Sequence, residues 1–340
     1  MEAMKRLAYL FSGQGSQYVG MGRDLYDKFP AARAVFEEAD EALGFALSQI
    51  IFAGPEETLK LTEHTQPAIL TVSTAAERAL REALAEHGMA PAMAAGHSLG
   101  EYSAHVAAGT LSFADAVRAV RLRGRYMQEA VPVGEGAMAA ILGLDVGLIR
   151  HICEQVADES APLSGDPRAT ESLSAGAVVS VANLNSPGQT VVSGAKWAVE
   201  RVVDLSKQAG AILTAILPVS APFHCALMKP AQDALARDLA ELTFHNPAFP
   251  VATNVSAILA TTGSQAREAL VAQVTGAVRW VECVQLLLGA GATHFIEVGP
   301  GKVLSGLMRQ IQGRDGATTV KLNVEDSASL VKTLEALRTN

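Results

Sequence analysis

Cysteine is scarce in this 340-residue chain: Cys153, Cys225 and Cys283 are its only three, far apart and without a C-x-x-C spacing. No disulfide framework and no zinc or other metal site is implied; the pattern fits reduced, buried thiols of a cytoplasmic protein. Long apolar runs are lacking too. No stretch reaches the ~18 uninterrupted apolar residues needed to cross a bilayer. The first apolar run, Leu7 to Phe11, is followed closely by glycine and glutamine, so a signal peptide is not expected. Basic charge is in deficit, with 27 Lys and Arg against 35 Asp and Glu and a formal net charge of −8. A nucleic-acid binder needs a basic surface to neutralise phosphates, so that class is set aside. No internal repeat is visible.

What is present is a globular composition. Hydrophobic residues make up 49% and charged residues 18%, enough for a generous core and too apolar for disorder. The length suits one large domain with an insertion, or two domains. Leu7–Phe11 reads as a buried strand breaking into the loop SGQGSQ. Helical periodicity covers 31–44 and 67–87, the second opening at Pro67, a residue favoured in a first helical turn. MAAG (93–96) is a short strand ending at Gly96-His97-Ser98-Leu99-Gly100. Helices are expected over 99–109 and after Ser112, which reads as an N-cap.

From Gly134 the rhythm changes to strand, helix, strand, strand, helix, strand, over 137–144, 146–158, 177–185, 189–194, 196–210 and 211–219. That order is ferredoxin-like. The segment 160–176, rich in Ser, Pro, Gly and Ala, reads as an exposed loop. A small βαββαβ domain at 134–217 is therefore expected inside a larger α/β domain made of 1–133 and 218–340. Further on, 249–255 reads as a strand and 293–301 as a strand and glycine turn, with helices over 264–275, about 280–290 and from near Lys302.

GHSLG fits the G-x-S-x-G pattern of a nucleophile elbow, in the strand–turn–helix context the pattern requires. Glycine and serine also mark ordinary turns. A serine hydroxyl is a poor nucleophile until a base takes its proton, and histidine is the usual base. His97 adjoins Ser98, but neighbouring side chains at a sharp turn point apart, so it reads as structural. Six other histidines sit in helix-like or polar segments and read as surface or satisfied residues. His224 differs: it follows a strand, lies in a loop with two prolines and precedes a helix, a setting rich in catalytic groups. Cys225 beside it invites a Cys–His reading, but nothing near it resembles an elbow and it reads as a packing thiol. The oxyanion formed on attack needs N–H donors. The Leu99 amide at a helix N-terminus supplies one, and Gln14 in the SGQGSQ glycine turn is a candidate for the second. Taken alone, that loop is more often a tight turn, or even a phosphate cradle, although it lacks the Gly-Lys-Ser/Thr of a P-loop.

FSGQGSQYVGMG, GHSLGEYSA, RGRYMQEAVPVGEGAMAAILG, NSPGQTVVSG, FHCALMKPA, VRWVECV and EVGPGKVLSGL occur in this order. Through them nearly the whole chain resembles the malonyl-CoA:acyl carrier protein transacylase family, which covers stand-alone enzymes of fatty-acid synthesis and acyltransferases of polyketide synthases. The resemblance implies an α/β-hydrolase-like large domain with a parallel sheet. It implies that Ser98 carries the acyl group as an ester with His224 as its base. Leu99 and Gln14 would then supply backbone oxyanion donors. Arg123 would pair with the free carboxylate of the malonyl group, as a planar guanidinium does with two parallel bonds. Gln273 matches the position whose backbone carbonyl orients the histidine. Phe223 beside the histidine resembles malonyl-selective members. No bound cofactor is implied; the substrate is malonyl-CoA and the acceptor is the phosphopantetheine thiol of an acyl carrier protein.

Ser12 stands where many fatty-acid members have proline, a variant that resembles free-standing acyltransferases serving polyketide assembly in trans. The nearest alternative is an acyl hydrolase that edits carrier proteins on the same fold; in such relatives the arginine is typically replaced, and here Arg123 is present. A generic esterase would not need SGQGSQ or RGRYMQ, and an inert docking module would not need Ser98, His224 and Arg123 together. Arg118, Arg121 and Arg125 read as solvated helix charges, or as a steering patch for an acidic carrier.

Overall fold

The computed structural model describes residues 5–159, 178–219, 221–313 and 319–339. The loop read at 160–176 lies outside them. The chain divides into two compact units, one of 1–125, 235–271 and 282–340, the other of 126–234 and 272–281.

The first unit is built on a six-stranded sheet. β1 (Leu7–Phe11), β2 (Pro91–Gly96), β7 (Val251–Ala252), β9 (His294–Val298) and β10 (Val320–Val324) are parallel in the order β10-β9-β1-β2-β7, and β8 (Leu259–Ala260) pairs antiparallel with β7 at the edge. Every residue of β1 and β9 is buried, as the near-continuous apolar runs LAYLF and HFIEV require of strands covered on both faces. α5 (Thr62–Ala85) and α6 (Gly100–Ala107) pack on the sheet and on each other, α2 (Pro30–Leu43) packs on α5, and α7 (Phe113–Glu129) follows α6 in the chain. Ser112 caps α7, its Oγ accepting from the Asp115 N–H at 3.1 Å. Three helices between 23 and 60 have no counterpart in the sequence reading: α1 (Arg23–Lys28), α3 (Leu47–Ala53) and α4 (Glu56–Lys60). At seven residues or fewer they are too short to show a helical period.

Two expectations are corrected. α5 begins at Thr62, so Pro67 lies inside it rather than in its first turn. Thr62, Thr65 and Gln66 are buried but polar, so apolar periodicity did not reveal this turn. It is anchored by the Thr65 N–H on the Leu61 carbonyl at 2.8 Å and Thr65 Oγ1 on the Leu59 carbonyl at 2.5 Å. The strand expected over 249–255 shrinks to Val251–Ala252, because Thr253 and Ile258 close a turn through an N–H to carbonyl bond of 2.9 Å.

In the second unit β3 (Gly136–Leu142), β4 (Val179–Ser186), β5 (Gln189–Ala195) and β6 (Leu213–Ile216) form an antiparallel sheet in the order β4-β5-β3-β6. α8 (Val146–Ala157) and α9 (Lys196–Gln208) pack on it through Ile149, Val156, Val199 and Val202 against Ala139, Ile141 and Val192. This is the ferredoxin-like order and pairing. Together with the parallel sheet it makes the α/β class that the sequence implied. Segment 272–281 runs beside β4: Val278 donates to the Ala182 carbonyl at 2.8 Å and accepts from Leu184 at 2.9 Å. Gln273 thereby joins the unit that contains His224.

Candidate active site

In the first unit the site is assembled from loops leaving the carboxyl ends of β1, β2, β7 and β9, the edge of a parallel sheet where ligands bind. Ser98 turns between β2 and α6 with φ of 51°, in the left-handed region that side chains with a Cβ avoid. The turn is as tight as backbone permits. A Cβ on Gly96 would lie 1.9 Å from the Gly100 carbonyl, and one on Gly100 2.1 Å from the Phe11 carbonyl oxygen. One distant side chain brackets the turn: the Ser98 N–H donates to Asn254 Oδ1 at 2.7 Å, and Asn254 Nδ2 donates to the Gly96 carbonyl at 2.7 Å. The Asn254 N–H is itself held by Glu101 Oε2 at 2.9 Å.

The Leu99 amide sits at the start of α6, among the N–H groups that have no intrahelical acceptor. Gln14 lies in the loop that leaves β1, next to Gly13. Gly13 presses on the elbow so closely that a Cβ there would meet the His97 carbonyl oxygen at 2.4 Å. The loop carrying Gln14 is braced by Ser16 Oγ to the Gly13 carbonyl at 2.8 Å and by Ser12 Oγ to the Pro300 carbonyl at 3.1 Å.

Arg123, on α7, is only 2% exposed. Its Nη1 donates to Gln66 Oε1 at 2.7 Å and its Nη2 to Ser98 Oγ at 3.1 Å. Gly124 allows the approach, since its α-carbon side packs on the first turn of α5, where a Cβ would be 2.6 Å from the Thr62 carbonyl oxygen. The guanidinium carbon lies 5.7 Å from the centroid of the Tyr102 ring. Burial draws its pKa below the ordinary value, while Tyr102 and Glu101 oppose that shift. Sequence reasoning therefore named two groups, Ser98 and Arg123, that the fold brings into direct contact.

In the second unit His224 also has left-handed backbone, with φ of 60°. Its Nδ1 is 2.9 Å from the Gln273 carbonyl oxygen and 3.2 Å from that of Gly276. Carbonyls only accept, so Nδ1 carries the proton and Nε2 keeps the basic lone pair. Phe223 precedes it, largely buried, with its N–H on the Ala221 carbonyl at 3.1 Å. Cys225 donates from Sγ to the Pro222 carbonyl at 3.1 Å, and burial pushes its pKa up. That is a packing thiol. Cys153 and Cys283 are likewise buried and unbridged. His105 is neutral in the interior, its pKa pushed down to about 3 by burial. Among the described residues no group of three or more His, Cys, Asp or Glu side chains could hold a metal ion.

The model of a family described as the acyl transferase domain matches residues 8–326. The chain belongs to the acyl transferase domain family. It is 49% identical to malonyl CoA-acyl carrier protein transacylase of Escherichia coli (strain K12) over 308 residues, 91% of this chain and 93% of that one. The enzyme of the same name from Bacillus subtilis (strain 168) is 47% identical over 311 residues, 92% of each chain. Among solved structures, a type II PKS acyl-carrier protein in complex with its malonyl-transacylase matches with a TM-score of 0.88 and 44% identity, covering 98% of this chain and 100% of that one. Three residues that help shape this acyl transferase domain escaped the sequence reading. Gln66 lay in a stretch without apolar periodicity, Asn254 inside an expected strand, and Glu101 in a motif where only its neighbours drew attention.

Proposed function

We propose that this acyl transferase moves a malonyl group from malonyl-CoA to the phosphopantetheine thiol of an acyl carrier protein, by way of a malonyl ester on Ser98. The observation that carries this reading is the buried Arg123 guanidinium, with Nη2 3.1 Å from Ser98 Oγ. An acyl group attached to that oxygen and ending in a carboxylate finds a cation within reach, whereas an acetyl group offers it nothing to pair with. In this reading His224 Nε2 takes the Ser98 proton as Oγ attacks the thioester carbonyl, and returns it to the departing CoA sulfur. The Leu99 and Gln14 amides receive the negative oxygen of the tetrahedral intermediate. The carrier thiol then attacks the ester, and Ser98 regains its proton. The Gln273 carbonyl orients the imidazole without adding the counter-charge a carboxylate would bring.

The editing hydrolase gains no support: the relatives compared above are named transacylases, and Arg123 stands in place. Selectivity for malonyl over methylmalonyl is assigned to Phe223. The setting proposed is fatty-acid or polyketide synthesis in the cytoplasm. The three cysteines are buried and unbridged, and no helix among the described residues is long and apolar enough to cross a membrane. Carrier steering is assigned to the arginines of α7, Arg118, Arg121 and Arg125; Arg118 also meets the Ala42 carbonyl and Asp115, and Arg121 stacks 4.5 Å from the centroid of the Phe45 ring. We also propose 134–217 as the inserted domain proper, since all six elements of the βαββαβ order fall within it.

Intact mass spectrometry tests the reaction. Mixing with malonyl-CoA is expected to add one malonyl unit, which passes to a phosphopantetheinylated carrier and is absent in Ser98→Ala. Persistence of the adduct in Ser98→Ala rejects the nucleophile.

A further inference from the structure

We infer that Asn254, held in place by Glu101, is a positioning residue that keeps Ser98 in its attacking conformation; the inference rests on Ser98 being the nucleophile. Three non-glycine residues among those described have left-handed φ: Ser98 at 51°, His224 at 60° and Ala257 at 50°. The first two are the residues assigned to the chemistry. The third has no chemistry of its own, but it lies in the turn that presents Asn254. There the Thr253 N–H bonds the Ile258 carbonyl at 2.9 Å, the Ala257 N–H bonds the Thr253 carbonyl at 2.9 Å, and Thr253 Oγ1 meets Ser256 Oγ at 2.7 Å. Strained backbone persists only where its surroundings over-determine it, and it gathers at working sites.

The carboxamide does what no other side chain of its size does. It offers an acceptor and a donor side by side, and here these meet an N–H and a carbonyl two residues apart on one turn. The orientation of the amide is fixed by both partners at once. The two bonds hold Gly96 and Ser98 at a fixed separation and so oppose relaxation of Ser98 to negative φ, which would swing Oγ away from Arg123 Nη2. Glu101 completes the device from α6. Its Oε2 fixes the Asn254 backbone, so the helix that begins at the elbow also fixes the clamp that holds the elbow. Asn254 and Glu101 are each fully buried, which removes water as a substitute partner.

The rate at which a fluorophosphonate labels Ser98 tests this, because that reaction needs nucleophile geometry and not malonyl-CoA binding. In Asn254→Ala, labelling and kcat are expected to fall about 10- to 100-fold, the cost of a misplacement near 1 Å, while KM for malonyl-CoA stays within about threefold. Asn254→Asp keeps the shape and the acceptor but sets an oxygen against the Gly96 carbonyl, so it should also slow labelling if Asn254→Ala fails to fold. Glu101→Gln keeps an oxygen for the Asn254 N–H and should lose less than either. A purely structural role would lower the melting temperature yet leave the labelling rate of the folded fraction unchanged. Folded Asn254→Ala or Asn254→Asp labelling within twofold of the parent overturns the clamp. Labelling that survives in Ser98→Ala overturns the nucleophile instead, so the two failures are told apart.

Discussion

Ser98 and His224 both occupy left-handed backbone, yet the two regions restrain them by opposite means. Around Ser98 the restraint comes from side-chain identity. A carboxamide from position 254 brackets the turn, a guanidinium from position 123 contacts Oγ, and two glycines leave the backbone room to close. Around His224 it comes from main chain, the carbonyls of Gln273 and Gly276 on a segment that runs along β4. Any residue has a carbonyl. The first arrangement can be broken by single substitutions, whereas the second needs the path of the backbone to change.

Substitutions can press on that contrast. The largest effect is expected for His224→Ala, which removes the proposed base: malonyl transfer should fall by about 10³-fold or more, read as the single-turnover rate of ester formation. Arg123→Ala removes a charge-assisted partner and should lower kcat/KM for malonyl-CoA by about 100-fold, with acetyl-CoA turnover little affected. Equal losses on both thioesters would mean that the guanidinium positions Ser98 rather than selecting the acid. Gln273→Ala is the sharpest comparison. The carbonyl remains, so activity should fall less than about tenfold although a buried side chain is lost and stability drops. A loss matching His224→Ala would show that the side chain, not the main chain, supports the imidazole. Phe223→Ser is expected to change preference rather than rate, shifting competition between malonyl-CoA and methylmalonyl-CoA toward the latter by about 10-fold, the worth of a methyl group in an apolar pocket.

The same contrast explains what could be read in the chain beforehand. The elbow was legible because a close approach of strand and helix demands glycine at fixed spacing around Ser98. The βαββαβ order was legible because its periods switch cleanly between two and 3.6 residues. Gln273 entered only through family resemblance, since a main-chain carbonyl leaves no mark on residue type. Asn254 lies 156 positions from Ser98 and Gln66 lies 57 from Arg123, and no local pattern records hydrogen bonds over such separations. Pro67 misled for a related reason: the first turn of α5 buries Thr62, Thr65 and Gln66, polar residues that periodicity assigns to the surface.

Gly96 and Gly100 carry one more consequence. Each faces main-chain atoms at about 2 Å from where a methyl group would stand, and neither obstacle is a side chain that could swing aside. Any library that randomises this turn and is screened for folded protein should therefore return glycine at both ends, whatever thioester is offered. Altered substrate choice has to be sought elsewhere, at positions limited by chemistry rather than by volume.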